Sequence, residues 1–567
     1  MKPTVPFLKS AFLALGFVIP YTSIQTFLHA DAPCSDSNPN AFYGTLEPFA
    51  SEAIYFLLLD RFVDGDPSNN HEDQGGAFPT WDQKLIGPDG QEANIGYLGG
   101  DFQGIVNNLD YIREMGFTAI WTTPIMDNPD EHFSGGEAIE FGGAFRDGGK
   151  TGYHGYWASN YFVEDEHWVS PKLDFETYAN TLHDNGFKVV FDIVTNHGSP
   201  SFSMPVDQPK FGELYDGQGN LVADHQNLHP SELDASNALH AFFHPYEDIL
   251  QLSNLDDTHP DVMQYFIDAY LGWIEKGADA FRIDTIRHVP HRFWKQFADT
   301  IRSYHPGFYM FGESYAYDAN FIAQHTLPKN GGVSVLDFPG RAAMIEVFEA
   351  PDKGFEELAA YLHLTHGPYT NPYDLVTFYD NHDMERMNAS DEGFINAHNW
   401  LFTSRGIPCV YYGSEMGFMR GTAEHAGNRN YFGQERIDQA THHPIRRELA
   451  RIAHIRKKLV ALQRGIQVNV KLEGHTAVFY RVYHHDEIQQ TVLVLLNKGY
   501  SPIEEEVTEM LQPGLWTNIE TGQTQHTSTN LGLKATVPAN SFSIWVHHGS
   551  LRQPDLIEQL RYAMQHR

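Results

Sequence analysis

Two cysteines in 567 residues, Cys34 and Cys409, exclude a disulfide-stapled scaffold and leave no thiolate cluster for a metal. Cys409 falls in the apolar run 409–412, so a bridge to Cys34 is not expected. Positive charge is also scarce: 38 Lys and Arg stand against 73 Asp and Glu, a formal net charge of −35 at pH 7. That balance argues against nucleic acid or an anionic membrane surface as a partner, since both need a cationic face. A neutral substrate is indifferent to it, and the surplus acid reads as a solvated surface. There is no internal repeat, and no low-complexity tract beyond the Gly-rich loop 135–152.

What is present is enough apolar sequence for a large core, 41% hydrophobic against 20% charged residues, in a chain longer than one usual domain. Lys2 and Lys9 precede the apolar run 11–19, and Ala30-Asp31-Ala32 follows, the pattern of a secretory signal over residues 1–32. The run is too short to span a bilayer, so the expectation is an exported protein with no membrane partner once the signal is removed. Beyond it, short apolar strands alternate with amphipathic helices, as in parallel β/α folds. Eight strands can be picked out, at 54–60, 119–124, 189–196, 280–284, 309–313, 333–338, 375–380 and 409–413. Helices are expected between several of them, at 102–115, 175–185 and 262–276. Eight strands fit a closed (β/α)8 TIM barrel, class α/β, over residues 33–462. The long polar stretch 198–255 after the third strand reads as an insertion subdomain. Residues 463–549 show only strand patterns and predict a C-terminal all-β domain. Residues 550–567 form a tail whose amphipathic segment 556–567 has no assignable role.

The stretch 278–288 organises the chemistry. Phe281 and Ile283 alternate with Arg282 and Asp284, so cation and carboxylate point the same way at the end of a strand. Alone, Arg-x-Asp reads more readily as a structural ion pair. In a β/α barrel, however, the carboxyl ends of all strands converge on one mouth. Collecting polar residues there gives Asp192, Asn196 and His197, then Arg282, Asp284 and His288, then Glu313, then His382 and Asp383. Three carboxylates, Asp284, Glu313 and Asp383, are expected to face one pocket, and a pair, one ionised and one protonated, is the minimum equipment for cleaving a glycosidic bond.

These residues resemble the α-amylase family of glycoside hydrolases, nearest in motif to the cyclodextrin glucanotransferases and related bacterial amylases. The resemblance rests on DIVTNH at 192–197, FRIDTIRH at 281–288, FGE at 311–313, LDF at 336–338 and FYDNHDMER at 378–386. YHGYW at 153–157, GGDFQG at 99–104 and SRGIPCVYYGSE at 404–415 add to it. It implies Asp284 as nucleophile, Glu313 as acid/base and Asp383 as the third carboxylate. It further implies that Arg282 orients Asp284, and that His154, Tyr156, His197, Arg287, His288, His382 and Arg429 bind sugar. The implied substrate is starch, glycogen or a maltooligosaccharide, handled by a monomer.

The resemblance also implies Ca2+ at two places. One joins Asn196, Asn254 and the carbonyl of His288, where Asn254 replaces the family's usual Asp and should weaken the site. The other gathers Asp64, Asp66, Asn69, Asn70, Gly99 and Asp101; the same residue types also compose an ordinary turn. Three functions remain open: an α-1,4-glucan hydrolase, a glucanotransferase, and a non-catalytic glucan-binding protein. All three carboxylates are present, which disfavours the last. Leu250 stands where cyclising enzymes place a Tyr or Phe, which favours hydrolysis.

Overall fold

The computed structural model describes residues 41–143, 146–205, 208 and 210–566; the expected signal segment and Cys34 lie outside them. Eight short strands form one parallel sheet: β1 (Ile54–Leu57), β2 (Ala119–Thr122), β3 (Lys188–Ile193), β4 (Ala280–Ile283), β5 (Tyr309–Gly312), β6 (Ser334–Val335), β7 (Val376–Thr377) and β8 (Ile407–Tyr411). Their order is β6-β5-β4-β3-β2-β1-β8-β7, and a parallel bridge between Leu336 and Val376 joins the two ends. Six of them lie within the expected strands, while β3 begins one residue and β8 two residues before its expected start. The strands are buried along almost their whole length, because side chains fill the barrel on one face and helices cover the other.

The helix Pro260–Glu275 shows how the outer layer forms. His259 caps it by accepting from the Asp261 amide, Pro260 occupies the first turn, and Val262, Phe266, Tyr270 and Trp273 recur on one buried face. The expected helix at 102–115 departs from its prediction. Asn108 leaves helical geometry at φ −117° and ψ 18°, its side chain donates to the Gly104 carbonyl at 2.8 Å, and the segment divides into Phe102–Asn107 and Leu109–Glu114. An Asn side chain competing for backbone acceptors is the physical reason.

After β3 the chain makes its long excursion, whose two ends, His197–Pro200 and Leu252–Asn254, pair as a two-stranded antiparallel sheet. Strands Glu213–Tyr215 and Leu221–Asp224 join Asn160–Glu164 and Met126–Asp127, from the connection between β2 and β3, in a four-stranded sheet. The C-terminal region is a six-stranded antiparallel sheet and a two-stranded one around a core that includes Trp516, Leu533, Val537 and Trp545. The amphipathic segment at the end has a packing role: helix Pro554–His566 buries Leu556, Leu560 and Ala563 in that core. Among the described residues no helix is long and apolar enough to cross a membrane.

Candidate active site

The carboxyl ends of β3, β4 and β5 meet at Arg282, which is completely buried. Its Nη1 donates to Asp192 Oδ1 and to Asp284 Oδ1, each at 2.9 Å, and lies 3.3 Å from the Tyr156 hydroxyl. Its Nη2 stands 3.4 Å from Glu313 Oε2. Asp192 is fixed from the other side by Trp121 Nε1 and the Tyr156 hydroxyl, both at 3.0 Å. Immediately after Asp284 the backbone turns left-handed at Thr285, φ 47° and ψ 33°. Thr285 is not a glycine, so the turn is strained, and it aims the Thr285 amide at Glu313 Oε2, 3.1 Å away.

One guanidinium among three carboxylates leaves negative charge in surplus. Burial, together with the Asp284 and Asp383 charges, pushes the Glu313 carboxyl up to about 8 despite Arg282. Burial likewise raises Asp192 to about 7. Glu313 therefore keeps its proton at neutral pH and can act as an acid.

Above this floor opens a cavity of about 270 Å³. Asp284, Glu313 and Asp383 line it with His154, Tyr156, His197, Arg287, His288, His382 and Arg429. The expected site residues other than Arg282 and the metal set thus share one wall-to-wall space, and Arg282 lies beneath it. The Tyr156 and His382 rings are parallel, 5.3 Å apart and inclined by 7°. Burial keeps His154, His197 and His382 neutral, and Nδ1 of both His197 and His382 is itself buried without a hydrogen-bond partner. A neutral imidazole on a cavity wall can donate to or accept from a hydroxyl group. Arg429 donates to Asp383 Oδ1 at 2.8 Å and to the His382 carbonyl at 2.9 Å. Arg287 and His288 sit on the exposed rim, where the His288 ring contacts Asp248 at 3.1 Å.

Sequence reasoning missed several wall residues. Lys150, buried, bonds Asp147 at 2.7 Å and lies 3.6 Å from Glu424, which also meets Arg429 at 3.0 Å. Burial opposes ionisation of Glu424, but Arg429 and Lys150 hold its carboxyl down to about 2. No local motif marks these residues; Trp157, Ile249, Leu250, Leu252, Thr285 and Tyr315 complete the lining.

The candidate metal residues separate into two places. Asp64 Oδ1, Asn69 Oδ1 and Asn70 Oδ1 are buried oxygens without a donor, and a Cβ on Gly99 would lie 2.5 Å from Asn70 Oδ1 and 3.0 Å from Asp64 Oδ2. Asp101 accepts from Asn69 Nδ2 at 3.1 Å and from the Gly65 and Asp66 amides. Unpaired oxygens around a glycine-lined gap fit a hard cation. Asp66 is turned away, its carboxylate accepting from the Ser68 amide and hydroxyl. At the second place Asn254 donates to the Tyr246 carbonyl at 3.3 Å, and a carboxylate absent from the expected set, Asp248, accepts from Asn196 Nδ2 at 3.0 Å.

Comparison with known proteins gives the family and the fold. The family profile described as alpha amylase, catalytic domain, matches residues 56–454. Cyclomaltodextrin glucanotransferase of Bacillus sp. (strain 38-2) is 34% identical over 433 residues, 73% of this chain and 54% of its own. That of Thermoanaerobacterium thermosulfurigenes is 28% identical over 533 residues, 89% of this chain and 69% of its own. The chain spans about half the length of most of the curated relatives it matches. Among solved structures, an alpha-amylase from Geobacillus thermoleovorans complexed with acarbose aligns with a TM-score of 0.66 at 26% identity, over 89% of this chain and 99% of that one. A cyclomaltodextrin glucanotransferase with a three-domain ABC distribution aligns with a TM-score of 0.68 at 28% identity, over 88% and 99%. The chain is an enzyme of the alpha-amylase family.

Proposed function

We propose that this enzyme is exported and hydrolyses α-1,4-glucosidic bonds of starch, glycogen or maltooligosaccharides with retention of configuration. The observation that carries the reading is the placement of Asp284 and Glu313 on one guanidinium, 2.9 and 3.4 Å from Arg282, with Glu313 holding its proton at neutral pH. Glu313 protonates the leaving oxygen while Asp284 attacks C1 from the opposite face. Water then cleaves the glycosyl ester, its proton passing to Glu313. Asp383, held by Arg429, binds sugar hydroxyls, and the Tyr156 ring stacks on the apolar face of the sugar. His197 and His382, neutral rings on the cavity wall, hydrogen-bond sugar hydroxyls, contacts that strengthen as positive charge develops at C1.

A second reading, transfer to another sugar in place of water, is favoured by the curated relatives, which are glucanotransferases. Leu250 on the cavity wall favours hydrolysis, since it offers no aromatic post for a glucan to wrap around. Reducing ends released from soluble starch, measured against the linear and cyclic oligosaccharides separated by chromatography over time, decide between them: one new reducing end per bond cleaved supports hydrolysis, and early cyclic products or chain redistribution without new reducing ends overturn it. For calcium, Asp64, Asn69, Asn70, Asp101 and the Gly99 backbone would hold the ion. It would supply positive charge that ties the first barrel loop to the helix beginning at Phe102.

A further inference from the structure

Leading away from Glu313, the segment 314–321 carries three large apolar rings into solvent: Tyr315 is 37% exposed, Tyr317 46% and Phe321 45%. Burial of such rings is worth more than of any other side chain, so three on one eight-residue segment need an occupant. They are not loose. Tyr315 and Tyr317 both rest on Phe338, at 5.1 and 6.0 Å between ring centres, and Phe338 is fully buried. The Tyr317 hydroxyl accepts from Arg341 Nη1 at 3.3 Å. Arg341 in turn is pinned to the Tyr379 carbonyl at 3.2 Å and the Glu385 carbonyl at 3.1 Å, on either side of Asp383. Phe321 lies under the Arg287 guanidinium at 5.4 Å, and Arg287 also donates to the Tyr315 carbonyl. Rings fixed before binding lose little side-chain entropy when a ligand stacks on them.

We propose that this rim is an acceptor-side platform for a linear α-glucan, in which Tyr317 and Phe321 stack on sugars beyond those that fit in the cavity. The inference rests on the glucan-cleaving reading of the site. Its direction follows from chemistry: the acid must face the leaving-group oxygen, so the rings that continue from Glu313 by way of Tyr315, itself a cavity wall, lie on the leaving-group side. The charged Lys150, Glu424 and Arg429 wall is made by other loops. A glucan held there competes with water for the glycosyl enzyme. The acceptor hydroxyl oxygen bonds to C1 as the ester bond to Asp284 breaks, the proton passes to Glu313, and Asp284 leaves as carboxylate.

The test compares wild type with Tyr317→Ala, Phe321→Ala and Tyr317→Phe on maltotriose and maltoheptaose. A single stacking contact predicts that Tyr317→Ala raises KM for maltoheptaose about fivefold more than for maltotriose. Phe321→Ala acts in the same direction, and the share of linear transfer products from maltoheptaose falls alongside. Tyr317→Phe, which keeps the ring and loses the Arg341 contact, restores most of the effect. Calorimetry of maltoheptaose binding to Glu313→Gln, with and without Tyr317→Ala, reads the same contact without turnover. Equal changes on both substrates, or unchanged chain-length dependence in the alanine variants, overturn the platform while leaving the glucan reading intact. A wild-type enzyme that cleaves neither substrate overturns both.

Discussion

Arg405 and Arg282 are both fully buried, yet they are surrounded in opposite ways. Arg405 faces one carboxylate. Its Nη1 meets Asp337 Oδ2 at 2.7 Å, and its Nε and Nη2 meet the Leu362 and Tyr361 carbonyls at 3.0 and 2.6 Å. Asp337 spends its other oxygen on the Gly340 amide at 3.0 Å, capping the helix Phe338–Glu349. Charge and hydrogen bonds balance, as a structural pair requires. Arg282 faces Asp192, Asp284 and Glu313, while its Nε has no partner and its Nη2 makes no hydrogen bond. The contrast teaches that a site differs from a strut in surplus charge and unfinished bonding, which substrate and proton complete.

The largest effects should fall on the unbalanced arginine's partners. Asp284→Asn and Glu313→Gln should each lower kcat by about a thousandfold or more. Because they serve consecutive steps, the double variant should be little worse than either single one. Neither should lower the denaturation midpoint, since Asp284→Asn relieves crowding among like charges and Glu313→Gln replaces a carboxyl that already holds its proton at neutral pH. Kinetics with parallel denaturation curves check this, and a variant retaining most of wild-type kcat would falsify the assignment. The first-formed product should be the α-anomer by NMR; a β-anomer would rule out a glycosyl ester at Asp284.

The balanced arginine should give the reverse pattern. Arg405→Met leaves Asp337 buried without its cation and should cost about 3–5 kcal/mol of stability, while kcat of the folded protein stays near wild type. Urea unfolding alongside active-site-normalised rates reads both. A stability change no larger than that of an exposed substitution would remove the distinction drawn between the two arginines.

The surplus charge should also be visible in pH. Glu313 titrates near 8 in the folded protein, above its ordinary value of 4.5, so kcat/KM should fall as pH rises through about 8 and the acid is lost. The same raised value means that the folded state binds this proton more tightly than the unfolded state. Its contribution to stability is therefore fully present below about 4.5 and is lost as pH rises through about 8. Glu313→Gln removes that dependence, so the difference in melting temperature between variant and wild type should widen in the variant's favour over this window. A constant difference from pH 4 to 9 would contradict the raised value.

The barrel was legible because each strand is a short run buried on both faces, bounded by polar residues at its carboxyl end. Arg282, Asp284, Glu313 and Asp383 could be gathered for the same reason: topology alone brings strand ends together. Lys150, Asp147, Glu424 and Asp248 were not legible, since they reach the cavity or the rim on loops with no periodic pattern, and only the folded chain shows which loops meet. The break at Asn108 escaped the helical pattern because apolar spacing continues through it while the Asn side chain competes for backbone bonds. The insertion reads as a subdomain from its length; that two of its strands pair with Met126–Asp127 and Asn160–Glu164 was not legible, because those strands lie before β3 in the chain.

The smallest effect extends the comparison to a third place where bonding is unfinished. Asp64 Oδ1, Asn69 Oδ1 and Asn70 Oδ1 lack donors, as Arg282 Nε lacks an acceptor, and a calcium ion would complete them. A bound ion stabilises the folded state by about 2.7 kcal/mol at a hundredfold excess over Kd, so a chelator should lower the melting temperature. Asp64→Asn should remove most of that sensitivity by deleting the charge among the orphaned oxygens. Asp66→Ala should retain it, because the Asp66 carboxylate is committed to Ser68, and should lose only a turn cap, about 1 kcal/mol. Asn254→Asp, near Asn196 and Asp248, should raise calcium affinity by a smaller step. Melting curves with and without chelator compare the three variants. An Asp64→Asn protein as chelator-sensitive as wild type would show that these oxygens belong to an ordinary turn.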